Sequence, residues 1–213
     1  MSDSSAEIAQ YAIRPGLDGM AARPSIDQYE ETLAARRRLT PFCAEMFARA
    51  RQIRASHEVV MYIAGALTGA SEQDKARYQA IAELPRGYQR SGARMFGYVP
   101  HLHGTDPIKH PDVSADEVRD VDFLWSTVVS DVQLHFMFPV AHGNAAEATW
   151  AEVFGVPVVY LKPANQRLSR LMLGMHHRPR IISYDDFHGD LVPTVERLLA
   201  AMEAFLLRSA VTR

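Results

Sequence analysis

The sequence has one cysteine, Cys43, among 213 residues. A single thiol excludes an intramolecular disulfide and a cysteine-rich zinc site, and it fits a reducing compartment. No apolar run approaches the roughly 18 residues that a membrane-spanning helix needs. The formal charge is only −2, which leaves no electrostatic reason to expect nucleic acid or an anionic membrane as a partner. The opening MSDSSAEIAQ is polar and lacks the basic region and apolar core of a secretory signal. Internal repeats and low-complexity segments are missing too. The expectation is a cytoplasmic globular chain, long enough for one α/β domain of about 150 residues plus an extension.

What is present begins with helix signals. Ser25 has the form of an N-cap, with Gln28 as its capping-box partner. A helix should run from there through Tyr29 and Leu33 to the basic run Arg36-Arg37-Arg38, read as a solvated face. Thr40-Pro41 starts a second helix, whose apolar face holds Phe42, Met46 and Phe47, with Cys43 packed on or near it. Residues 1–57 are therefore read as a helical N-terminal extension. From residue 58 the pattern changes. VVMYIAG (Val59 to Gly65), Met95 to Val99, Val132 to Phe138, PVVYL (Pro157 to Leu161) and Arg180 to Tyr184 read as strands. Helices alternate with them: Asp74 to Leu84, broken at Pro85; one capped by Ser114 with Glu117; a short one around Ser169 to Met175; and a closing one from Val192 to Leu207. That alternation predicts a flavodoxin/Rossmann-like parallel sheet of about five strands over 58–213, with helices on both faces.

Chemistry concentrates at the strand ends. The turn Gly65-Ala66-Leu67-Thr68-Gly69 has small residues that admit a ligand close to backbone N–H groups, but it is neither a Walker loop nor a dinucleotide fingerprint. His101, His103 and His110 stand near Asp106 in one polar loop. No further ligand cluster stands at a helical spacing, so the reading is a substrate-contacting histidine and no metal. In FPVAHGNAAEATWAEVFGVPVV (Phe138 to Val159) a turn with Gly143 and Asn144 leads into a helix expected to begin near Ala145. Glu147 would then lie in its first turn, at the carboxyl end of a parallel strand. Two readings stand there: an acid that stabilises its helix, or ligand chemistry where open α/β sheets place it. Asp122 likewise reads either as an exposed helical acid or as part of a site.

Several short matches in the right order resemble the nucleoside 2-deoxyribosyltransferase family, closest to its 2′-deoxynucleoside 5′-monophosphate N-hydrolase branch. They are Tyr62-Ile63-Ala64-Gly65; Asp122-Phe123-Leu124-Trp125 followed by Ser130-Asp131-Val132; Gly143-Asn144-Ala145-Ala146-Glu147; and Arg167-Leu168-Ser169 with Met172 and Gly174. The resemblance implies that 58–213 is an α/β domain of this kind and that Glu147 attacks C1′ of a sugar. Asp122 would orient the sugar or protonate the departing base, and Tyr62 would hold the Glu147 carboxylate. Gly65 would open space beneath the base, with Ala66 and Thr68 in the adjoining turn. His101 or His103 falls at a pocket position, Gly143 and Asn144 flank the nucleophile, and Ser169 would reach the substrate's 5′ end across a homodimer interface. No cofactor is implied. Ala66, Thr68, Ala141 and Ala145 depart from the phosphate-hydrolysing pattern, so both nucleosides and their 5′-monophosphates fit as substrates. The expected function is N-glycosidic hydrolysis. The alternatives are base-exchanging transfer and an inactive nucleotide-binding sensor.

Overall fold

The computed structural model describes residues 21–67, 70–87, 94–106, 110–173 and 180–211; Thr68, singled out above, lies outside them. Local hydrogen bonds explain where the first helices start. The Ser25 hydroxyl accepts from the Gln28 N–H while the Gln28 side chain accepts from the Ser25 N–H, opening α1 (Ile26–Ala35). Arg36 to Arg38 lie beyond its end, where Arg37 turns the chain with a φ of 56°. Thr40 caps α2 (Pro41–Ser56), accepting from the Cys43 N–H, and its hydroxyl donates to Glu117 at 2.6 Å.

Five parallel strands follow: β1 (Val59–Ala64), β2 (Met95–Tyr98), β3 (Val132–Phe136), β4 (Val158–Pro163) and β5 (Arg180–Tyr184), in the spatial order β2-β1-β3-β4-β5. Between them run α3 (Glu72–Gly87), α4 (Pro100–His103), α5 (Ala115–Phe123), α6 (His142–Phe154) and α7 (Arg170–Leu173). α5 continues as a π-helical turn, Leu124–Val129, and a similar turn, Phe187–Leu191, leads into α8 (Val192–Val211). The architecture is the expected α/β one.

Both faces of the sheet are covered, which is why its strands read as near-continuous apolar runs. Alternate side chains go to opposite faces. Met61, Ile63, Leu134, Phe136 and Leu161 pack under α3 and α8. Val60, Tyr62 and Tyr98 share one buried cluster with Leu33 of α1, Met46 and Phe47 of α2, and Leu124 and Trp125 beyond α5. Thus the apolar faces of α1 and α2 pack on each other, on α5 and on the Leu124–Val129 turn, and join the core on this side of the sheet. Cys43 is buried among them.

The strand order reverses direction between β1 and β3, and that places the open end of the sheet's crevice at the carboxyl ends of these two strands. Their opposite ends are held by Asp131. Its Oδ2 accepts from the Val60 N–H at 2.8 Å and from Arg54 at 2.6 Å. Replacing Asp131 with alanine should therefore cost about 1–3 kcal/mol, because a buried strand N–H loses its acceptor. A urea denaturation midpoint equal to that of the parent would contradict this role.

Several boundaries differ from expectation. α3 starts at Glu72, after Ser71 and Asp74 exchange capping hydrogen bonds, and it carries Pro85 within its last turn rather than ending there. β3 ends at Phe136, two residues early. α6 starts at His142, so Gly143 and Asn144 are helical and Glu147 sits in the second turn, not the first. The early start has no side-chain signature, since Ala141 is the N-cap and offers no capping oxygen.

Candidate active site

Tyr62 stands near the carboxyl end of β1 and points toward the α5/α6 face of the sheet. Its hydroxyl donates to Glu147 Oε1 at 2.7 Å, across 85 residues of sequence. Glu147 is only 7% exposed, and its Oε2 is buried with no hydrogen-bond partner among the described residues. Fixing one oxygen and leaving the other without a partner is costly for stability, because a buried polar atom normally finds one.

Asp122 approaches from α5. The Thr105 hydroxyl lies 3.0 Å from its Oδ1 and donates to it when the acid is ionised. Desolvation pushes the Glu147 pKa up; the nearby Asp122 charge pushes it further, and the Tyr62 bond pulls the other way. Desolvation also raises Asp122, opposed by the Thr105 bond. Two carboxyls this close cannot both ionise easily, so near neutrality they share a proton. The Tyr62 bond favours the ionised form of Glu147 and the Thr105 bond that of Asp122, while burial and the neighbouring charge lift Glu147 the further of the two. The Thr105 hydroxyl can rotate to accept from a protonated Asp122. Burial, with Asp122 and Glu147 behind it, also lifts Tyr62 and Tyr98 well above the ordinary phenol range, so both stay protonated.

An aromatic wall backs these groups. Tyr62 stacks on Tyr98 with ring centroids 5.7 Å apart, and Tyr98 stacks on Trp125 at 4.2 Å. All three rings are fully buried, which fixes the origin of the Tyr62 hydroxyl.

The other predicted positions make contacts of their own. His101 is buried in α4, with its ring 6.3 Å from that of Tyr78. The His103 ring turns back instead, taking a 2.9 Å hydrogen bond from the Val99 N–H and packing on Tyr98. A Cβ at Gly65 would lie 2.5 Å from the Tyr78 ring, so the missing side chain makes room for that ring. Ala66 is buried beside it. Gly143 faces open space, while the Asn144 amide is committed to the Phe136 carbonyl at 2.7 Å, tying α6 to the end of β3. Ser169 is exposed, and its hydroxyl accepts from the Met172 N–H at the start of α7.

Thr105 and Tyr98 were not singled out from sequence. Thr105 lies in the polar loop that drew attention for its histidines, and only the fold brings it to Asp122. Among the described residues no group of three His, Cys, Asp or Glu side chains is placed to hold a metal ion. Among them, too, no helix is long and apolar enough to cross a membrane.

No family model and no curated protein match this sequence. Solved structures do resemble it. One is a conserved protein from Enterococcus faecalis V583, with a TM-score of 0.51, 16% identity, and coverage of 66% of this chain and 96% of that one. Another is a CMP N-glycosidase from Clostridium botulinum, with a TM-score of 0.45, 17% identity, and coverage of 68% and 98%. At such identities the likeness to the first concerns the fold alone: this chain has a five-stranded parallel, Rossmann-like α/β architecture.

Proposed function

We propose that this protein hydrolyses the N-glycosidic bond of a nucleoside or nucleoside 5′-monophosphate. The observation that carries the reading is the desolvated acid pair at the strand-order reversal, Glu147 buried and Asp122 half-buried. Glu147 is held through one oxygen by Tyr62, its other oxygen has no partner among the described residues, and Asp122 lies close enough to raise its pKa. Burying two acids together is unfavourable, and a protein that only bound a neutral sugar would gain nothing from it. Such desolvated, mutually perturbed groups gather where protons and nucleophiles are needed. The resemblance of the Tyr62, Asp122 and Glu147 segments to deoxyribosyltransferases supports the same assignment.

In this reading Glu147 Oε2 attacks C1′ as the bond to the base breaks, and Asp122 passes its proton to the departing nitrogen. The carboxylate stabilises the oxocarbenium-like centre and then captures it as a glycosyl ester. Water next attacks C1′, Asp122 takes its proton, and the sugar leaves with Glu147 restored. This division of labour follows that of retaining glycosidases. A free base in place of water would give transfer from the same ester.

The test is release of free base from a panel of ribo- and deoxyribonucleosides and their 5′-monophosphates. No release from any of them would refute the reading. The panel also decides whether the phosphate matters. Tyr62→Phe keeps the stacked ring but removes the hydrogen bond to the carboxylate. Base release should fall about tenfold to a hundredfold, the worth of one hydrogen bond to a charged group. Because that bond opposes protonation of Glu147, the rate optimum should also move to higher pH. An unchanged rate and profile would remove Tyr62 from the site.

A further inference from the structure

A cavity lies on the outer side of α5, between the end of α1 and the flank of α6. Its volume is about 320 Å³, within the range of small-molecule sites. Tyr29, Phe123 and Trp150 form its walls, and Arg36, Arg38 and Arg119 reach it. Phe123 packs against Tyr29 at 4.9 Å and edge-on against Trp150 at 5.4 Å, so the aromatic wall is continuous. All three rings stay half-buried and keep surface toward the opening.

The charges are arranged as a holder rather than a scattered face. Asp120 accepts from Arg38 at 2.7 Å and from Arg119 at 3.2 Å, and Asp116 pairs with the same two guanidiniums at 3.5 and 3.1 Å. Two aspartates thus fix two arginines and balance their charge. Arg36 adds a third guanidinium that has no acidic partner among the described residues, and the Arg38 Nε is buried without a hydrogen-bond partner among them. The surplus is positive, two of the donors are held in place before any ligand arrives, and flat rings stand beside them. Guanidiniums next to aromatic faces suit a planar group that carries negative charge.

We propose that this cavity is a second binding site, separate from the Glu147 centre, for a small molecule joining a flat ring to an anionic group. Trp150 is its reporter; Trp125 backs the Glu147 centre, so only the part of an emission change that Trp150→Phe removes is assigned to this cavity. The experiment uses Glu147→Gln protein, to prevent turnover, titrated with adenosine 5′-monophosphate or 1-naphthalenesulfonate while tryptophan emission is followed. A saturable change is expected, absent in Trp150→Phe. Arg36→Ala should weaken it at least about tenfold, the loss of one charge-assisted contact. Arg36 is exposed, so this variant does not disturb the core. Adenosine and inorganic phosphate should each bind far more weakly than the nucleotide. The proposal is overturned by no saturable change with either probe, by equal binding to Arg36→Ala, or by equal binding of adenosine. A dimer that Arg36→Glu dissociates, with no ligand response, would also overturn it, assigning the cavity to a second copy of the chain. None of these results depends on whether the Glu147 centre releases base.

Discussion

Glu147→Gln is expected to lower base release by roughly a thousandfold or more, the scale of removing a nucleophile or a main electrostatic stabiliser. Glutamine has nearly the same shape, and its carbonyl oxygen can still accept from Tyr62, which now bonds Glu147 Oε1 at 2.7 Å. What disappears is the negative charge that stabilises an electron-poor anomeric carbon and the lone pair that captures it. The rate is read from free base separated after incubation with the best substrate of the panel. Circular dichroism and a thermal transition establish that the variant is folded. A folded variant that releases base at the parent's rate would exclude Glu147 from the chemistry.

The same substitution should make the protein more stable in alkali, and this effect needs no substrate. Desolvation raises both carboxyls in the folded state, Glu147 to about 8 and Asp122 to about 7. Below the ordinary carboxylate range, folded and unfolded chains hold these protons equally and the acids cost nothing. As the pH climbs, the unfolded chain ionises first and the folded one binds more protons, so stability falls until the pH passes about 8. Glutamine removes the Glu147 share of that loss and relieves Asp122 of a like charge. At pH 9 the variant should exceed the parent by about 2 kcal/mol or more, since a tenfold difference in proton affinity between folded and unfolded chains corresponds to about 1.4 kcal/mol. At pH 4 the two should nearly coincide. Parallel stability curves from pH 4 to pH 9 would mean that Glu147 is neither desolvated nor coupled to Asp122. A protein that gains stability on losing a side chain has kept that side chain for another purpose.

The parts of the fold governed by nearby residues were legible in sequence. Ser25 with Gln28 and Ser114 with Glu117 close hydrogen bonds within a few residues, Thr40 ahead of Pro41 accepts from the Cys43 N–H, and each does open a helix. The inner strands were legible because burial on both faces leaves them mostly apolar, Gln133 and His135 of β3 being buried polar exceptions, while β5 at the edge alternates exposed and buried positions. The start of α6 was not, because its N-cap is an alanine and the informative contact runs from Asn144 back to Phe136. The destination of α1 and α2 was also hidden. An amphipathic helix reveals that it has an inner face but not what that face meets, and here it meets α5 and the Leu124–Val129 turn. Thr105 was overlooked for a related reason. A lone threonine carries no signal until a helix 17 residues further on brings Asp122 beside it.

The most direct measurement is mass spectrometry of the protein quenched in acid during turnover, using a 2′-fluorinated substrate whose electron-poor sugar slows hydrolysis of the ester. The peptide that contains Glu147 should gain the mass of the glycosyl group, and the gain should vanish in Glu147→Gln. An unmodified Glu147 peptide during steady base release, or a glycosyl group found on another residue, would show that this carboxylate is not the group that attacks the sugar.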